Sequence, residues 1–136
     1  MENLAFTVEL SEEFETALET VTAALKEEGF GVLTEIDVKA TMKEKLDIDF
    51  RKYTILGACN PPLAHKALES EPLIGLLLPC NVTVEETENG TMINMVNPKM
   101  LLLSNPTLAK IPQLVEVAND AYDRLSRVSS SLQAKE

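Results

Sequence analysis

Tryptophan is absent from the 136 residues, histidine occurs once, cysteine twice and glycine five times. Each scarcity removes a class of explanation. A structural zinc site needs about four Cys or His ligands and the chain holds three in all, so an intrachain site of that kind is excluded. The glycines at 29, 31, 57, 75 and 90 never fall in a GxGxxG or Walker spacing, which excludes nucleotide binding through a familiar phosphate loop. Basic residues are also few. Twelve Lys and Arg stand against 22 Asp and Glu, and a net charge of -10 opposes phosphate backbones and anionic membrane surfaces alike. Neither nucleic acid nor membrane is an expected partner. The one basic cluster, Lys39 to Lys45, is interrupted by Glu44 and reads as a solvated helix face. No apolar run approaches the ~18 residues of a membrane span. Met1 Glu2 Asn3 Leu4 has neither a basic nor an apolar leader character, so two reduced thiols in a cytoplasmic protein are expected.

What is present is globular. Hydrophobic residues make up 45% and charged residues 25%, the balance of an ordinary folded domain. A chain of this length can bury roughly two thirds of its unfolded surface without a metal or disulfide. We expect one domain over residues 1–128 and a frayed tail over 129–136, where no pattern is visible.

Local patterns outline the elements. Leu4, Phe6 and Val8 alternate with polar residues as a half-buried strand does. Ser11 offers a helix cap, and Phe14, Ala17, Leu18, Val21, Ala24 and Leu25 share one helical face that Gly29 terminates. Phe30–Ile36 reads as a second strand, and Asp37 caps a helix that turns Met42, Leu46 and Phe50 inward. A third strand, Lys52–Ala58, is apolar enough to sit centrally. Asn60 and Pro61 then start a short helix, Asn as cap and Pro in the first turn. Leu73–Leu78 is ambiguous in form. Cys80–Glu86 and Thr91–Val96 form a hairpin across Glu88 Asn89 Gly90. Asn97 Pro98 and Asn105 Pro106 echo the same helix-start chemistry, and Pro112 opens a last helix with Leu114, Val117, Ala118, Ala121, Tyr122 and Leu125 on its inner stripe. The sum is an α+β fold in two layers: a mixed or largely antiparallel sheet of about five strands, with helices mainly on one face.

Two segments combine reactive side chains with a recognisable backbone context. Ile55 to Pro61 and Leu77 to Val82 each end an apolar run in Cys followed by Asn, 21 positions apart. Cys59 sits ahead of a helix N-terminus, whose dipole and free N–H groups favour a thiolate; the plainer reading is a small buried side chain. Cys80 follows Pro79, which marks a strand start, an edge or a bulge. If the two strand ends lie side by side, the thiols approach each other; sequence does not fix that contact. His65, one turn into the following helix, is a candidate base if it turns back, and a solvated side chain if it does not. Glu85, Glu86 and Glu88 alternate into the hairpin turn and read as a solvated edge, and Met42, Met92, Met95 and Met100 read as core.

Gly57 Ala58 Cys59 Asn60 Pro61 with Leu63 Ala64, together with Leu77 Leu78 Pro79 Cys80 Asn81 Val82, resembles the small bacterial and archaeal proteins grouped as domain of unknown function 302. The Phe14–Gly29 helix and Asn97 Pro98 fit the same pattern, so the likeness spans most of residues 3–128. It implies a compact two-layer α/β domain, often dimeric, with no established activity. The matching positions are Cys59, Asn60, Pro61, Pro79, Cys80 and Asn81.

Three functional expectations follow. The first is a homodimeric module that binds a small apolar or thiol-reactive molecule beside the two Cys-Asn segments, at Cys59, Asn60, Pro61, Pro79, Cys80 and Asn81. Its support is the surplus of apolar residues in Leu73–Leu78 and Met100–Leu103, which fill the core, line a pocket or pair two subunits through open sheet faces. The second is a thiol enzyme or redox protein with Cys59 attacking, Cys80 resolving and His65 as base. The third is metal or haem binding through the same thiols. No particular cofactor is indicated.

Overall fold

A computed structural model describes residues 3–135. In chain order its elements are β1 (Ala5–Leu10), α1 (Phe14–Glu27), β2 (Gly31–Asp37), α2 (Val38–Leu46), β3 (Tyr53–Cys59), α3 (Pro61–Ser70), a 3-10 segment (Pro72–Leu77), β4 (Cys80–Thr87), β5 (Gly90–Val96), α4 (Pro98–Leu103), a 3-10 turn (Leu108–Lys110) and α5 (Pro112–Gln133). The strands pair in the order β1-β5-β4-β3-β2, every neighbour antiparallel. The fold is α+β, as the sequence pattern predicts.

Alternation along the strands separates two faces. Val8 and Leu10, Leu56, Val82 and Val84, and Ile93 are buried beneath the helices. The other face is polar along its middle row, where Thr7 Oγ1 donates to Asn94 Oδ1 at 2.7 Å and Asn94 Nδ2 donates to Thr83 Oγ1 at 3.4 Å. Such a row links three strands without a covering layer, the usual state of an antiparallel sheet packed on one side. The apolar faces of α1 and α5 close the core, with Val21, Leu25, Leu114 and Leu125 at most 1% exposed.

Several expectations change in position. The strand expected at the centre is β3, which lies one in from the β2 edge; β4 occupies the middle. Ser11 does not cap α1. That helix begins at Phe14 with Glu13 at its cap and no side-chain bond there, because the preceding loop is held elsewhere, Thr91 Oγ1 donating to the Glu12 carbonyl at 2.9 Å. Asp37 does cap α2, accepting from the Ala40 N–H at 2.9 Å, yet no residue of α2 is buried and Leu46 is 62% exposed. Met42 and Leu46 therefore do not turn into the core as their spacing predicts. The tail expected to fray from Ser129 is helical to Gln133, with Val128 and Leu132 buried as a continuation of the α5 stripe. Leu73–Leu78, left open by its composition, is mostly 3-10 helix.

Candidate functional site

The site begins with a strand register. Across β3 and β4, Leu56 faces Val82, Gly57 faces Asn81 and Ala58 faces Cys80, so both Cys-Asn segments meet at one end of the sheet. Cys59 lies one residue beyond the position opposite Cys80. The two cysteines are therefore not a directly opposed cross-strand pair, though both line the same cavity. Both remain free cysteines, Cys59 half-buried and Cys80 buried.

At this sheet end lies an apolar cavity of about 40 Å³, lined by Cys59, Asn60, Pro79 and Cys80 and closed by Phe30, Leu102, Val117 and Ala121, among others. It is large enough for one small group and no more. Leu78 and Pro79 also line an adjoining groove of about 240 Å³, and that groove shares Leu76, Leu77 and Leu101 with a wider one of about 460 Å³. The cavity and the first groove share Leu78 and Pro79 as walls. Asn81 lines the first groove rather than the cavity, and Pro61 lines neither.

Asn60 is occupied structurally. Its Oδ1 accepts from the Leu63 N–H at 3.3 Å, capping α3, while its Nδ2 donates to the Glu28 carbonyl at 3.3 Å at the end of α1. That carbonyl also accepts from Arg124 Nη1 at 2.9 Å, so α1, α3 and α5 are tied at one point. Gly29, at φ +85°, passes so close that a methyl there would sit 2.9 Å from Asn60 Nδ2.

Of the two readings of Cys59, a helix-start thiolate and a plain half-buried thiol, burial acts toward the second. It pushes the Cys59 thiol up from the ordinary value. The helix start offers nothing to offset this, because its first two residues are Pro61 and Pro62, which have no N–H, and the third, Leu63, gives its N–H to Asn60. Burial pushes Cys80 further, to about 11, with the nearby Cys59 charge adding to the rise. Both thiols are neutral near pH 7.

This has a consequence for alkaline stability. A folded-state value above the unfolded one means that stability is intact at neutral pH and is lost as pH rises past the unfolded value. With an ordinary value of 9.0 and a folded value of about 11, Cys80 lowers stability by on the order of 1 kcal/mol by pH 10. Denaturant titrations at pH 7.5 and pH 10 on wild type and Cys80→Ala check this. The variant should lose correspondingly less on going to pH 10; equal losses would place the titration elsewhere.

His65 does not join the thiols. It lies on the exposed side of α3, its side chain 77% exposed, with Nε2 at 3.1 Å from Glu69 Oε1. It lines none of the three apolar spaces. No group of three or more His, Cys, Asp or Glu that could hold a metal ion occurs among the described residues, nor is any of their helices long and apolar enough to cross a membrane. The residues that sequence reasoning missed are the cavity walls. Val117 and Ala121 belong to the legible α5 stripe, but nothing local to Phe30 or Leu102 announces that they close this space.

No curated protein matches the chain. The crystal structure of an uncharacterized conserved DUF302 protein from Bacillus stearothermophilus is similar to it, with a TM-score of 0.81 and 33% identity over 95% of this chain and 98% of that one. The family model for the domain of unknown function DUF302 matches residues 6–132. With the paired Cys-Asn segments at one sheet end and this match over nearly the whole chain, the protein belongs to the DUF302 family.

Proposed function

We propose that the protein is a homodimeric binding module for a small apolar or thiol-reactive molecule, held where the two Cys-Asn segments meet. The observation that carries this reading is the apolar cavity beside Cys59 and Cys80, which shares Leu78 and Pro79 with a neighbouring groove. A ligand of this class would place one small end against the thiols and the rest of its body along the groove. Neutral thiols suit such a wall, since a thiolate there would have to be desolvated. They weigh against the redox reading, in which Cys59 attacks and Cys80 resolves, because the attacking species is the thiolate. Two free thiols fit a reducing, cytoplasmic compartment.

Alkyl methanethiosulfonates test the proposal directly, because they are thiol-reactive and their tail can be varied. We expect the butyl reagent to modify Cys59 in the native protein at least ~10-fold faster than the anionic 2-sulfonatoethyl reagent, after each rate is divided by that for free cysteine. Ala121→Val, which adds two methyl groups to the cavity wall, should erase that preference. A ratio near one in wild type would mean that the thiol faces no apolar site.

A further inference from the structure

The cavity at the sheet end has a restricted set of donors. Among the described residues that line it, only Cys59, Cys80 and Asn60 carry a side-chain heteroatom, and every other side chain there ends in carbon. The Asn60 amide is committed on both sides, Oδ1 to the Leu63 N–H and Nδ2 to the Glu28 carbonyl. The two sulfurs are therefore the side-chain donors left to a guest. Both belong to free cysteines, so no disulfide has to open before they act together. The β3–β4 register brings them there from two strands, Cys80 opposite Ala58 and Cys59 one residue beyond.

Size and donor type together select the guest. A space of about 40 Å³ admits one small group and no macrocycle, so haem does not fit. Structural zinc and iron–sulfur clusters each ask for about four ligands. Calcium and magnesium take oxygen donors, and no carboxylate lines this space among the described residues. Two sulfurs between carbon walls suit a soft, closed-shell cation with a linear, two-coordinate habit, and thiolates select Cu(I) among such ions. The ion displaces the thiol protons itself, so thiols that are neutral on their own remain competent ligands. Two S–metal bonds form, two S–H bonds break, both protons pass to solvent and no electron moves.

We propose that Cys59 and Cys80 together bind one soft cation of the Cu(I) class inside this cavity, each sulfur supplying one bond. This rests on the reading of a thiol-reactive ligand at the same place and names its class. It also gives Cys80 a task. A reagent entering from solvent meets the half-buried Cys59 and has no need of the buried thiol, whereas a two-coordinate ion needs both.

Anaerobic titration of the full chain with Cu(I), in competition with the chromophoric chelator bicinchoninate, reads stoichiometry and affinity together. One ion per chain is expected. Cys59→Ser and Cys80→Ala should each weaken binding at least ~100-fold, since each removes the partner that makes the second bond intramolecular. Should Cys80→Ala disturb the core, X-ray absorption at the copper edge needs no variant; it is expected to show two sulfur neighbours and no nitrogen or oxygen. Half an ion per chain, unaffected by Cys80→Ala, would place the ion between the Cys59 thiols of two chains and overturn the inference. So would single variants that bind as tightly as wild type, or a copper shell with one sulfur. The methanethiosulfonate preference depends on Cys59 and its apolar surroundings alone. If it holds while copper binding fails, the metal inference falls by itself; if it vanishes while copper binding stands, the apolar ligand falls instead.

Discussion

Gly57→Ala is expected to cost about 3 kcal/mol and to lower Tm by about 10 °C. Gly57 faces Asn81 on β4 and Thr34 on β2, on the sheet face away from the helices. A methyl built there lands on Thr34 Oγ1 and comes within 2.7 Å of the Pro79 ring carbon Cγ. Neither contact is easily relieved, since Thr34 is a strand residue with a stiff branched side chain and Pro79 is a closed ring. The absence of a side chain at Gly57 is what lets Pro79 lie over β3 and bring Cys80 into register with Ala58. Thermal unfolding of Gly57→Ala, Thr34→Ala and the double variant checks the argument. The double variant should recover part of the loss because it removes Oγ1, and the remainder reports on Pro79. Additive losses would show that the two positions do not compete for space.

The second large effect is at Asn60. Asn60→Ala removes the cap of α3 and the bond to the Glu28 carbonyl at a residue only 7% exposed, and a loss of about 2–3 kcal/mol is expected. Asn60→Asp separates the two contributions, because a carboxylate still accepts from Leu63 N–H but has no hydrogen to give Glu28. It should fall between wild type and Ala in urea unfolding. If Ala and Asp were equally harmful, the cap would contribute nothing and the tie between helices would carry the whole effect. In either case the Asn of this segment is a structural residue, and the cavity beside it depends on it only through the position of α3.

Much of the fold is legible because it is written in local chemistry. The Phe14–Leu25 and Leu114–Leu125 stripes, the Asn89 Gly90 turn and the Asn60 and Asn97 caps each need only a few neighbouring residues to be read. What fails depends on distant partners. Met42 and Leu46 have the spacing of an inward face, but α2 meets β3 without burying any of its own residues, and a sequence pattern does not say where the core ends. Ser129 and Leu132 looked patternless only because the α5 stripe passes through a run of serines; the helix continues and buries them. The helix start lends Cys59 little support as a thiolate, for a reason present in the sequence. Pro62, beside Pro61, removes a second N–H from the helix start, and the cap by Asn60 consumes the next. The meeting of the two Cys-Asn segments is different in kind, since it follows from the β3–β4 register and from Phe30, Leu102, Val117 and Ala121 arriving from other elements.

The central claim is that these segments build a neutral apolar wall rather than a thiolate centre. Thiolate absorbance near 240 nm, followed from pH 5 to pH 11 on the native protein with Cys59→Ala and Cys80→Ala as assignments, tests it most directly. The Cys59 step should lie above the ordinary thiol range, and the Cys80 step should appear near pH 11. A step below pH 8 from either cysteine would contradict the account and restore the redox reading.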